Sequence, residues 1–121
     1  MELNPNLADA LGVPASVSEE ALAKHLATSV GAPQPRTEQT VAVWVALARA
    51  MQEQLIERPQ PRMEDVEAGH YPVSQAFSDL GPDASELWLE ALGDEEMDAV
   101  HEFIMSKVAP KLAKAGYFQL I

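Results

Sequence analysis

The sequence predicts an all-α protein: a single compact bundle of five to six helices packed around a central buried helix at about residues 38–57. The first reason is that residues 41–48, VAVWVALA, contain no polar side chain. The second is that apolar residues recur at helical spacing, whereas no segment shows the sustained apolar–polar alternation of a half-buried strand. With 121 residues, 47% of them hydrophobic, residues 1–121 can form one domain with a packed core.

Two helices are predicted before the central one. Asn4 can cap the first helix and Gly12 can end it, because glycine tolerates the left-handed conformation found after a helix. Ser16 and Glu19 have the spacing of a capping box, which predicts a second helix that runs to about Val30.

The central helix has clear boundaries. Thr37 can cap its start, and the tetrapeptide PQPR stands on both sides, at residues 33–36 and 59–62. Proline removes a backbone donor and disfavours α geometry in its predecessor, so we expect two short extended connectors. The apolar run is shorter than the roughly 20 residues that cross a membrane, so we expect a buried core helix and no membrane contact. Its predicted apolar face comprises Val41, Trp44, Val45, Ala48, Met51 and Leu55, widened by Val43, Leu47, Ala50 and Ile56.

Two further helices are predicted near the C-terminus. The first covers residues 82–92 and ends before Gly93. Asp94 can cap the second, which runs from Glu95 to about Ala115, with a kink at Pro110 because the proline ring crowds the preceding turn. Gly116 suits the position after the helix end. Between the central helix and these two, residues 63–69 and 72–80 predict a single helical turn and a short helix.

The charge is concentrated in one segment. The formal net charge is -11, and residues 63–106 contain twelve acidic residues but neither lysine nor arginine. Residues 107–121 contain three lysines and no acidic residue. An acidic protein without a basic patch is a poor ligand for nucleic acid, so we expect no direct nucleic-acid binding.

Within the acidic segment, carboxylates occur at i, i+3, i+7 on both C-terminal helices. Because consecutive helices joined by one glycine are neighbours, we expect the two sets to form one carboxylate surface that steers and captures a basic protein partner. The alternative is a solvated face that serves solubility. The six candidate binding residues are Asp83, Glu86 and Glu90 on the first helix and Glu95, Asp98 and Glu102 on the second.

Catalytic and metal-binding motifs are missing from the sequence. It has no cysteine, no Gly-rich phosphate loop and no nucleophile elbow or H-E-x-x-H motif, and its three histidines are dispersed. We therefore expect neither an enzyme nor a cofactor, and we interpret His25 as a half-buried packing residue. Asp98, His101 and Glu102 share a helix face that could hold a cation, but no second ligand set accompanies them, so no metal site is predicted.

Residues 77–85, FSDLGPDAS, resemble the segment that precedes the modified serine of acyl carrier proteins, which are also small, acidic and helical. The resemblance implies a phosphopantetheine arm on Ser85. Two positions depart from the family pattern: Ala84 separates Asp83 from Ser85, and Glu86 stands where the family has an apolar residue. A carrier is accordingly the third of our functional hypotheses.

The leading hypothesis is a non-enzymatic protein-interaction module of the inhibitor, immunity-protein or assembly-chaperone type, including the chaperones of phages. The alternative is a structural subunit of a virion or secretion apparatus that contacts its neighbours through its termini. The apolar tail after the last helix either folds back onto the core or docks into a partner; its candidate contact residues are Tyr117, Phe118, Leu120 and Ile121. No signal peptide is evident, so we expect a cytoplasmic location or a virion assembled there, with a homo-oligomer left open.

Overall fold

The computed structural model describes residues 2–57, residue 81, residues 84–91 and residues 94–116. These residues form five helices and no strand, which confirms the predicted all-α bundle. The predicted second PQPR connector and the short helices at 63–69 and 72–80 lie outside the described residues. The helices are α1 (Pro5–Leu11), α2 (Glu19–Val30), α3 (Glu38–Gln52), α4 (Ala84–Ala91) and a C-terminal helix, residues 94–114, made of α5 (Asp94–Phe103), a π turn (Ile104–Val108) and α6 (Ala109–Lys114). A further π turn, Glu53–Glu57, continues α3.

The ends of α1 are those predicted from the sequence. The side-chain oxygen of Asn4 accepts a hydrogen bond from the backbone N–H of Asn6, at 2.9 Å. Gly12 follows the helix with φ of +81°, in the left-handed region that favours glycine. The backbone N–H of Asn4 also donates to the side chain of Gln52 over 2.9 Å, which ties the start of α1 to the end of α3.

The predicted cap of α2 was wrong by two residues. Ser18, not Ser16, precedes the helix, and its hydroxyl accepts a hydrogen bond from the N–H of Ala21. Ser16 instead forms an isolated antiparallel bridge with Glu2. This bridge holds Ser16 in extended backbone, so the helix begins only after the chain has left it. The predicted end of α2 is confirmed, since the helix ends at Val30 and Gly31 has φ of +74°.

The central helix is confirmed, including its cap. Thr37 Oγ1 accepts from the N–H of Thr40, and Thr40 Oγ1 accepts from the N–H of Thr37, which completes a reciprocal capping box. The helix is buried on most of its circumference, as expected of a helix that other elements surround. Its buried hydrophobic residues, with those of its π turn, are Val43, Trp44, Val45, Leu47, Ala48, Ala50, Met51 and Leu55; Val41 and Ile56 are partly buried.

The packing places α3 between other helices. It contacts α2 on one side and α4 on another, while α2 also contacts α5. The N-terminal α1 packs against the second π turn and α6. A single cluster of buried side chains from all five helices forms the core. None of the helices described is both long enough and apolar enough to cross a membrane.

The C-terminal helix departs from regular α geometry before Pro110. Residues Ile104–Val108 form a π turn, in which the N–H of Ala109 donates to the carbonyl of Ile104. The irregularity that the sequence predicts at Pro110 is therefore a π turn, which ends at Val108, two positions before the proline. The helix begins at Asp94, so Asp94 is its first residue and not the cap that the sequence predicts. It ends at Lys114, and Gly116 has φ of +89° as predicted.

Candidate interaction surface

The acidic residues of α4 lie on a helix whose opposite side enters the core. Trp88 and Ala91 are each only 2% exposed, and Glu86 is exposed. Asp83 lies outside the described residues. Glu90 belongs to α4, but its side chain is outside the description, as is that of Ser85.

The acidic residues of α5 form a continuous exposed line. Glu95, Asp98 and Glu102 are all exposed, at the i, i+3 and i+7 spacing that places residues on one side of a helix. Val100 and Ile104 are 1% and 0% exposed and face the core. The burial of these two residues orients the helix, so the three carboxylates point into solvent. We call this line of three residues the acidic stripe.

The carboxylates of the acidic stripe and of Glu86 form no ion pair with a described residue. Two ion pairs occur in the described part of the chain, Lys24 with Glu20 at 3.0 Å and Arg49 with Glu19 at 3.4 Å. Both pairs lie on the N-terminal half of the molecule. The negative charge of these four carboxylates is therefore not neutralised by a cation that the structure describes.

Helix α4 and the helix that carries the acidic stripe, α5, pack on different neighbours. Helix α4 packs on α3, whereas α5 packs on α2. The two residues that join α4 to α5, Leu92 and Gly93, lie outside the described residues. That the carboxylates of both helices form one surface is therefore still a prediction. The structure defines the positions of the carboxylates in the acidic stripe.

The described part of this surface includes no metal site. Among the described residues no group of three or more histidine and acidic side chains is arranged to hold a metal ion, so Asp98, His101 and Glu102 do not form a site. The candidate tail residues Tyr117, Phe118, Leu120 and Ile121 lie outside the described residues.

Sequence reasoning missed a groove lined by residues of α2, α3 and the first π turn. It has a volume of about 420 Å³, and Arg49 lies in it among carboxylates from three separate segments. No local pattern could have identified it, because its residues are brought together by the packing of α2 on α3. The lining residues are Glu2, Glu19, Arg49, Gln52, Glu53 and Glu57.

Comparison of the chain with protein-family models, with curated proteins and with solved structures gives no significant match.

Proposed function

We propose that this protein is a non-enzymatic interaction module that binds a basic protein partner through the carboxylates of its C-terminal helices. The observation that carries the proposal is the acidic stripe: three exposed carboxylates on one side of α5, with no ion pair to a described lysine or arginine. Glu86 and, by sequence, Asp83 and Glu90 extend the same negative charge onto α4.

The physical reason is that unpaired carboxylates of one sign repel one another. Asp98 and Glu102 are separated by four residues on a helix, where like charges destabilise the helix by roughly 0.2–0.5 kcal/mol. A cationic partner relieves that repulsion when it binds. The electrostatic field of the carboxylates also attracts the partner before contact and raises the association rate, and salt screens this attraction.

The class of module that we propose is an inhibitor, an immunity protein or an assembly chaperone. Such proteins act by covering a basic surface of another protein, so they need complementary charge and a stable fold but no catalytic group. The dense helical core supplies a rigid support for the stripe, which reduces the cost of ordering the carboxylates on binding.

The experiment begins with co-purification of the native partner and its identification by mass spectrometry. Association is then measured by stopped flow at about 20 mM and 150 mM salt, for the natural protein and for the stripe variant Glu95→Lys/Asp98→Lys/Glu102→Lys. We expect the variant to associate at least about tenfold more slowly at the lower salt concentration, with a much weaker salt dependence.

The matched control reverses three exposed acidic residues elsewhere, Glu20→Lys/Glu38→Lys/Glu53→Lys, and gives the same change in net charge. We expect this control to retain most of the association rate. If the stripe variant keeps the natural rate and salt dependence, or if both variants lose rate equally, the stripe is only a solvated face and the proposal is wrong.

A further inference from the structure

The exposed acidic and basic residues of the C-terminal helix occur at mirror-image spacings. The acidic stripe lies in α5, and three exposed lysines, Lys107, Lys111 and Lys114, lie in the π turn and α6. The carboxylates are separated by three and then four residues, and the lysines by four and then three. The two sets are therefore mirror images in spacing and opposite in charge about a centre between Ile104 and Met105.

The π turn places both sets on one side of the helix. The buried residues Val100, Ile104, Val108 and Leu112 recur every four residues, a spacing that drifts by about 40° per step in a regular α-helix. A π turn contains about one residue more per turn, which offsets this drift. With the apolar line kept inward through both halves, all three lysines remain exposed, on the side of the helix that carries the acidic stripe.

None of the three lysines forms an ion pair with another described residue. The two ion pairs in the described part of the chain are Lys24 with Glu20 and Arg49 with Glu19. The helix thus presents one exposed line, negative in its first half and positive in its second. Such a line is complementary to itself when a second copy runs in the opposite direction. A copy running in the same direction would place like charges together.

We propose that a second copy of this chain docks against this face, with the two C-terminal helices antiparallel about a two-fold axis near residues 104 and 105. In a two-fold interface each contact occurs twice, so three kinds of pair give six ion pairs. Phe103 and Pro110, both half-buried, lie between the charges and supply apolar contact at the same face. The pairs are Glu95 with Lys114, Asp98 with Lys111 and Glu102 with Lys107.

This inference rests on the proposed function in one respect: both treat the acidic stripe as a binding surface. It deepens that proposal by naming the first cationic partner of the stripe, the lysines of another copy. Exposed ion pairs are individually weak, so the dimer dissociates in the micromolar to millimolar range and a tighter basic partner displaces the second copy.

The test uses single charge reversals in the whole protein. Sedimentation equilibrium at about 20 mM salt, over roughly 10 µM to 1 mM protein, follows the natural chain, Glu102→Lys and Lys107→Glu. We expect the natural chain to dimerise, and each variant to raise the dissociation constant at least about tenfold, because one substitution turns two attractions into repulsions. Circular dichroism checks that each variant remains helical.

The decisive measurement mixes two variants. Glu102→Lys combined with Lys107→Glu restores all six opposite-charge pairs, so we expect a 1:1 heterodimer with about the affinity of the natural dimer. Glu102→Lys combined with Lys114→Glu leaves two repulsive pairs and serves as the mismatched control. The pair Asp98→Lys with Lys111→Glu repeats the test at a second position.

The outcomes separate the inference from the proposed function. A natural chain that stays monomeric at 1 mM, or equal affinities for the matched and mismatched mixtures, overturns the antiparallel dimer. Capture of the basic partner by Lys107→Glu, which keeps the acidic stripe, reports on the proposed function alone. A dimer without such a partner therefore supports the inference and contradicts the proposed function, and a partner without a dimer does the reverse.

Discussion

At the scale of single residues, His25 joins two helices that the sequence separates by a loop. Its Nε2 lies 2.8 Å from the carbonyl oxygen of Leu11, the last residue of α1. A carbonyl can only accept a hydrogen bond, so Nε2 carries the proton and donates. A Cβ atom at the adjacent Gly12 would lie 3.4 Å from the same nitrogen. That distance is an ordinary van der Waals contact, so glycine is favoured at position 12 by its left-handed φ of +81° and not by the space that His25 needs.

We expect His25→Leu to reduce the free energy of unfolding by about 1 kcal/mol, the usual contribution of one hydrogen bond, because leucine keeps the apolar bulk but cannot donate to Leu11. Urea unfolding followed by tryptophan fluorescence measures this, since Trp44 and Trp88 are both buried. Ser29→Ala is the control, because its exposed hydroxyl bonds only a carbonyl of its own helix. An effect of His25→Leu no larger than that of the control would contradict the role given to His25.

The caps show how far local sequence patterns determine single residues. The pattern at Asn4 and Thr37 was sufficient, because each cap bonds to a residue within three positions of itself. The pattern at Ser16 predicted the wrong cap, because the competing bridge to Glu2 joins residues that are far apart in the sequence. A capping motif thus predicts a helix start correctly when no distant strand-like contact competes for the same backbone.

At the scale of helical elements, the π turn in the C-terminal helix has two local causes. Pro110 has no N–H, and its ring would crowd the carbonyl of Ser106 in a regular α-helix. The wider π turn at Ile104–Val108 separates them. The hydroxyl of Ser106 donates to the carbonyl of Glu102 over 2.7 Å, which provides this carbonyl with a partner where the regular bonding pattern changes. The four-residue spacing of the buried side chains fits the same turn.

We expect deletion of Ser106 to cost about 3 kcal/mol, because removing one residue from a π turn leaves a regular α-helix with unchanged phase on both sides but places Pro110 in its interior. Deletion of Ala99 from α5 should instead rotate all later residues by about 100°. Ile104, Val108 and Leu112, each 0% exposed, would then leave the core, which costs more than about 4.5 kcal/mol because each of the three side chains is worth about 1.5–3 kcal/mol.

Circular dichroism and urea unfolding of the two deletion variants measure the difference. The chain is shortened equally in both, so each variant is the control for the other. If deletion of Ser106 is as damaging as deletion of Ala99, the π turn does not act as an inserted residue in this helix.

The helices show what the sequence could and could not predict at this scale. The buried residues of α3 followed from a run without polar side chains, and the start of α3 followed from its cap at Thr37. The start of α5 lies one residue before the predicted one, at Asp94. The π turn of the C-terminal helix was not predicted, although the buried residues Val100, Ile104, Val108 and Leu112 recur every four residues. The spacing was a usable signal, since it exceeds the 3.6 residues of an α-turn.

At the scale of the whole molecule, the N-terminal and C-terminal halves differ in how their exposed charges are paired. Both ion pairs among the described residues lie in the N-terminal half, one within α2 and one between α2 and α3, whereas the acidic stripe has no such partner among those residues. The sequence was sufficient to predict that Glu95, Asp98 and Glu102 share one helix side, because helical spacing and apolar periodicity determine it. It did not determine how α4 and α5 meet, because that depends on which surfaces of α3 and α2 they cover.

We expect the same chemical change to have opposite effects at two sites of this acidic protein. Glu102→Gln removes a like-charge neighbour of Asp98 on α5, so it should stabilise the fold at low salt by roughly 0.2–0.5 kcal/mol. Glu20→Gln removes the partner of Lys24, an exposed i, i+4 pair at 3.0 Å, so it should destabilise the fold by a similar small amount. Both substitutions reduce the magnitude of the net charge of -11 by one unit, so the general relief of repulsion contributes equally to each.

Thermal or urea unfolding at about 10 mM and 500 mM salt measures both variants, at about 1 µM protein so that self-association does not contribute. The two effects should converge toward zero at the higher salt concentration, because the Debye length falls from about 30 Å to a few ångströms and screens exposed charges. Stabilisation of equal size by both variants would mean that total charge, and not the local arrangement of the acidic stripe, sets the electrostatic free energy of this fold. In that case the stripe would hold no stored repulsion for a cationic partner to relieve.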